Sequence, residues 1–85
     1  MTVYIPSPLR SYTRLEKVEA IGLTVDEAMR DLDRQYPGIR FRIINEQDGI
    51  REHIKIFVNE VLTNAVSQSV KSGDRIHIIC ALSGG

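Results

Sequence analysis

The 85-residue sequence predicts an α+β fold, a mixed sheet with one main helix packed on one of its faces. Three observations predict it. Short β-rich stretches stand near both ends of the chain, at residues 2–5 and from Arg75 onward. A long amphipathic helical pattern lies between them, opened by Thr24 and closed by Pro37-Gly38. The segments before and after that helix read as pairs of short sequential strands.

Residues 2–5 alternate in polarity and stop at Pro6-Ser7-Pro8, as expected of a first strand. Residues 9–14 are polar enough to read as a connecting turn. Residues 15–20 set Leu15, Lys17 and Glu19 against Glu16, Val18 and Ala20, a second strand that completes a hairpin with a wide loop. Thr24 followed by Glu27 matches a capping box, in which each side chain satisfies the other residue's backbone N–H. Asp26 and Glu27 also complement the dipole at the helix start. Val25, Ala28, Met29, Leu32 and Tyr36 recur at helical spacing as one apolar stripe, which reads as core packing.

Beyond Gly38 the pattern is less decisive. Residues 39–44 fit either a short helical turn or a short strand, and residues 45–49 form a turn cluster. Residues 53–59 are the clearest interior strand, with Ile54, Ile56 and Val58 on one face and Lys55, Phe57 and Asn59 on the other. Asn59-Glu60 reads as a tight turn and Val61-Leu62 as a short return strand. Residues 63–72 are expected to be a loop with one turn of helix carrying Val66 and Val70. Ser72-Gly73-Asp74 then turns the chain into its final strand. With the first and last strands parallel and side by side at the sheet centre, this is the β-grasp arrangement.

Composition narrows the function. The chain is one domain at most, with 42% hydrophobic and 26% charged residues and no apolar run of membrane-spanning length. Its start lacks both the basic end and the apolar centre of a signal peptide, so a cytoplasmic location is expected. Eleven basic and eleven acidic residues balance to zero, and no basic stripe suggests nucleic acid. One cysteine and two distant histidines make no recognisable zinc or iron–sulfur site, which excludes the β-grasp ferredoxins. No phosphate-binding glycine loop or nucleophile–base pair suggests catalysis.

The informative stretch is the last one. Ile76 and Ile78 belong to a buried strand, and Ala81-Leu82-Ser83-Gly84-Gly85 then runs out small and uncharged to a pair of glycines. A terminal Gly-Gly arises by chance in about one chain in 200, so the pair gains meaning only from the strand that leads into it. Glycine has no Cβ and permits close approach by another protein's active site. Five extended residues reach about 16–18 Å, enough to enter a partner while the domain stays outside. The domain is therefore divided as residues 1–80 for the sheet and helix and residues 81–85 for a flexible tail. The plain alternative is a frayed terminus.

These residues carry a family likeness. Leu32-Asp33-Arg34-Gln35-Tyr36-Pro37-Gly38-Ile39, Ile54-Lys55-Ile56-Phe57-Val58-Asn59 and Ser72-Gly73-Asp74-Arg75-Ile76 through Gly84-Gly85 resemble the ubiquitin-like sulfur-carrier proteins. That family includes the small subunit of molybdopterin synthase, the thiazole sulfur carrier and the cysteine-biosynthesis carrier. The Tyr-Pro-Gly and Phe-Val-Asn segments look closest to the cysteine type. The resemblance implies that a ubiquitin-activating-type adenylyltransferase uses ATP to activate Gly85. A sulfur donor then converts the adenylate to a thiocarboxylate, which a sulfur-accepting biosynthetic enzyme consumes. It implies no bound cofactor, no catalytic residue and no metal. Gly84, Ser83, Leu82 and Ala81 would be read by the partner's channel. Cys80 stands where many relatives have proline, and Ser83 where alanine is common.

Two further readings concern the sheet. Cys80 is expected to face inward with Ile76 and Ile78 as a small hydrophobe, rather than to relay sulfur. His53 and His77 are expected at the surface. On alternation, Phe57, His77, Ile79 and Tyr4 point away from the helix-covered core and form a partner-docking patch, with Arg75 at its rim. Other functions that fit are a small subunit of molybdopterin synthase, a protein modifier joined through Gly85 to lysines, and a plain β-grasp interaction module.

Overall fold

The computed structural model describes residues 1–81. Its sheet is built from β1 (Thr2–Tyr4), β2 (Lys17–Glu19), β3 (Ile54–Val58), β4 (Val61–Thr63) and β5 (Arg75–Cys80), in the spatial order β2-β1-β5-β3-β4. β1 runs parallel to β5, and every other neighbouring pair is antiparallel. This is the β-grasp topology expected from the sequence. The main helix, α2 (Val25–Gln35), covers one face.

Helix α2 forms where its signals stand. Thr24 lies in the extended region and its hydroxyl accepts the Glu27 N–H at 3.1 Å. The reciprocal arm of the capping box lands one residue early, because the Glu27 carboxylate accepts from Leu23 N–H at 3.0 Å. Val25, Ala28, Met29 and Leu32 are fully buried, whereas Tyr36 is half-buried at the helix end. Burial of Val25, Met29 and Leu32 contributes roughly 1.5–3 kcal/mol each. Gly38, at φ 98°, turns the chain out of α2 into α3 (Ile39–Ile43). The ambiguous residues 39–44 thus resolve as a helix, with Ile39 and Ile43 buried and Ile44 bridged to Ile50.

Two sequence expectations are corrected. Residues 9–14 are not a simple turn: Ser7–Leu9 form a 3-10 turn and Arg10–Thr13 form α1. Polar Arg10, Ser11 and Thr13 hid the period. Leu9 is nevertheless buried, and Thr13 is buried because its hydroxyl donates to Leu15 O at 2.7 Å. Residues 63–72 contain no helical turn. They form a loop whose turn is closed by Gln68 N–H donating to Ala65 O at 3.2 Å, and the loop supplies acceptors to the start of α2: Val25 N–H donates to Gln68 O and Asp26 N–H to Val66 O, both at 2.9 Å. Val66 and Val70 still pack inward, from a loop that is held beside Thr24 by the Thr24–Ser69 bridge.

Behind the sheet, Asp26 accepts from Arg30 at 2.8 Å and from Arg40 at 2.6 Å. Burial works to raise the Asp26 pKa, yet the hydrogen bonds and charges of the two arginines together carry it below the ordinary value. This links the first turn of α2 to α3.

Candidate functional site

The tail-bearing strand is the central one of the sheet. β5 lies between β1 and β3, with Ile76 and Ile78 pointing into the core. Its start is set by a local network. The Asp74 carboxylate accepts from Asn59 Nδ2 and from Lys71 N–H, each at 2.9 Å. Asn59 in turn accepts Arg75 N–H through Oδ1 at 2.9 Å and donates its own N–H to Arg75 O at 2.8 Å. The Asn59 hydrogen bond, aided by the Lys71 N–H, holds the Asp74 carboxyl below its ordinary pKa. Asn59 and Glu60 both have positive φ, 49° and 71°, which makes the β3–β4 connection a two-residue type I′ hairpin turn.

At the other end of β5, Ala81 remains tied to the sheet: its N–H donates to His53 O at 2.7 Å while its side chain is exposed. The chain therefore leaves the sheet from a fixed point beside the start of β3. Leu82, Ser83, Gly84 and Gly85, the other residues expected to be read by a partner, lie outside the described residues.

The sheet face opposite α2 brings the predicted docking residues into register. Tyr4 pairs with His77, and His77 with Phe57. The Tyr4 and His77 rings stack in parallel planes with centroids 4.1 Å apart. The row also extends to both edges of the sheet, since Lys17 pairs with Tyr4 and Leu62 with Phe57. One line of side chains, Lys17–Tyr4–His77–Phe57–Leu62, thus crosses all five strands. Ile79, 45% exposed, sits on the same face opposite Lys55. Arg75 stands opposite Thr2 and reaches Glu60 at 3.5 Å, with both side chains mostly exposed. An exposed pair of that kind contributes little to stability.

Leu62, also 45% exposed, is the apolar member that alternation alone missed, as Lys17 is the charged one. Counting cross-strand pairs outward from a two-residue turn at Asn59-Glu60 places Leu62 opposite Phe57, so the signal lay in the turn type. His53 is exposed and His77 half-buried, the latter within the cross-strand row. Cys80 is half-buried against the core, and burial pushes its thiol pKa up, which keeps it protonated and a poor nucleophile. Among the described residues, no group of three or more His, Cys, Asp or Glu side chains is placed to hold a metal. No helix there is long and apolar enough to cross a membrane.

A β-grasp sheet with one covered face, one apolar-aromatic open face and a central last strand defines a ubiquitin-like protein. Residues 3–85 match the ThiS family, and the chain belongs to that family of ubiquitin-like sulfur carriers. Its structure is similar to that of CysO from Amycolatopsis orientalis, solved in a complex with BexX. The TM-score is 0.91 at 34% identity, covering 99% of this chain and 98% of that one. It is also similar to CysO from Mycobacterium tuberculosis, described as an antigen, with TM-score 0.87 and 28% identity over 95% and 98% of the two chains. The small archaeal modifier protein 1 of Haloferax volcanii shares the fold, with TM-score 0.79 and 22% identity over 100% and 98%. A sequence comparison with curated proteins finds no match.

Proposed function

We propose that this chain is a sulfur carrier whose Gly85 carboxylate is activated and then converted to a thiocarboxylate by partner enzymes. In this reading the chain is a protein cosubstrate acting in the cytoplasm. Its activating partner is an adenylyltransferase of the ubiquitin-activating type, which uses ATP. A Gly85 carboxylate oxygen attacks the α-phosphorus of ATP, and pyrophosphate leaves. Hydrosulfide released by the donor then attacks the acyl carbon, the C–O bond to AMP breaks, AMP leaves, and the thiocarboxylate remains on Gly85. An acceptor enzyme takes that sulfur into cysteine or a related sulfur metabolite.

The observation that carries this reading is that the ThiS-family match runs through Gly84 and Gly85. The fixed exit at Ala81 supports it, because the residues that follow start from a defined point on the sheet. The likeness to two CysO proteins, one of them solved with a partner, favours the cysteine-type acceptor and a docking role for Tyr4, His77, Phe57, Ile79 and Arg75. Gly84 and Gly85 give the adenylating site room around the reacting carbon, while Ala81, Leu82 and Ser83 line the approach.

Intact-mass analysis of the protein purified from its native cell tests the proposal. The expected result is a population heavier by the exchange of one oxygen for sulfur, abolished in a Gly84→Ala variant that the activating enzyme turns over at least tenfold more slowly. Covalent adducts of the whole chain on other proteins would instead make it a modifier. A stable complex with a larger synthase chain, with its terminus never released, would make it a synthase subunit.

A further inference from the structure

The chain is neutral overall, but its charges are sorted along the sheet. At the end where β5 finishes, β1 also finishes and β2 and β3 begin, so the 5–16 loop and the 51–53 segment surround the Ala81 exit. Segments 5–17 and 51–55 at this end carry Arg10, Arg14, Lys17, Arg51 and Lys55 against Glu16 and Glu52, and Arg42 joins them through Tyr12. Six positive and two negative charges leave a local excess of four, so the rest of the chain, with five and nine, carries the opposite excess.

The placement of several of these groups is fixed by contacts. Arg10 Nε donates to Ile5 O at 2.9 Å, just past the end of β1. Arg42 Nε donates to Tyr12 OH at 2.9 Å, which holds its guanidinium against α1. Arg51 Nε donates to Phe41 O at 2.6 Å. Lys17 and Lys55 project from the open face beside Tyr4 and Ile79, and Arg14, Lys17, Arg42 and Lys55 are all exposed. None of these four forms an ion pair among the described residues.

We infer that this basic collar around the tail exit docks against an acidic rim on the protein that receives the tail. The inference rests on the carrier reading and adds the electrostatic character of the partner. A neutral protein gains no long-range attraction from its net charge. A charge asymmetry can still orient it within roughly a Debye length, about 8 Å at physiological ionic strength. Here the orientation is tail first, the one arrangement that presents Gly85 to a channel. Charges at such a rim act mainly on encounter rate and salt dependence.

The test is ATP–pyrophosphate exchange by an adenylating enzyme from the same cell, with this chain as the varied substrate. A Lys17→Glu/Lys55→Glu variant should raise KM roughly tenfold at low salt with kcat unchanged, and added salt should shrink the difference. Lys71→Glu, which sits at the opposite end beside Asp74, should leave KM unchanged despite altering charge in the same sense. Exchange that proceeds with a KM indifferent to the collar reversal, or equally sensitive to Lys71→Glu, overturns the collar while sparing the carrier reading. No exchange with the wild type at any salt concentration overturns both. Tight binding of a short DNA duplex, lost on the same reversal, would assign the collar to nucleic acid and also overturn the proposal.

Discussion

Phe57 occupies the middle of the cross-strand row, between His77 and Leu62, and is half-buried by those neighbours. An aromatic anchor in that position is where binding energy concentrates when a partner covers the face. Phe57→Asp should weaken binding to the activating enzyme at least tenfold and keep a native circular dichroism spectrum; unchanged affinity would remove the row from the docking surface. Asp74 gives a second residue-level outcome. Its folded pKa is depressed by Asn59 and Lys71 N–H, so its contribution is present above the unfolded value near 3.8. The contribution fades as pH falls through the lower folded value. Urea denaturation from pH 6 down to pH 2.5 should show an acid-side loss of stability that is shallower in Asp74→Asn. An identical slope in the variant would mean that Asp74 does not carry it. Asn59 was legible as a turn residue, but its service to both Asp74 and Arg75 was not. That role depends on β3 and β5 being neighbours, a contact between residues 16 apart.

Among the elements, the join between β2 and α2 depends on close packing at Gly22. A Cβ there would lie 2.7 Å from Ala28 N and 2.9 Å from Glu27 C, both backbone atoms of the helix. Neither can move without shifting α2, so Gly22→Ala should cost about 2–3 kcal/mol. A denaturation midpoint within error of the wild type would show that the loop simply yields. Nothing in the sequence singled out Gly22, because its constraint comes from a helix that folds back beside it. Helix α2 itself was readable from cap, stripe and breaker, since those signals are local. Helix α1 was not, because four residues supply little more than one turn of periodicity and three of them are polar. The 63–72 segment misled for a related reason. Its spaced valines fit a helical face, whereas its backbone is claimed by the free N–H groups at the start of α2.

For the molecule as a whole, the sheet order was legible because a hairpin, a crossover helix and a second set of strands leave few arrangements once the connection is right-handed. The open-face patch was legible as far as alternation reaches: Tyr4, Phe57, His77 and Ile79 do share a face. Its extension to Leu62 and Lys17 required the register of the edge strands. The basic collar was hidden for a different reason. Arg10, Arg42 and Lys55 are scattered along the chain, and a composition that sums to zero says nothing about where the charges gather. The central place of β5 has a mechanical consequence. Tension applied through the chain end is transmitted along that strand and meets the ladders to β1 and β3 lengthwise. Several hydrogen bonds then resist together instead of opening one after another. A partner that draws on the terminus therefore loads those two ladders in shear rather than peeling them apart.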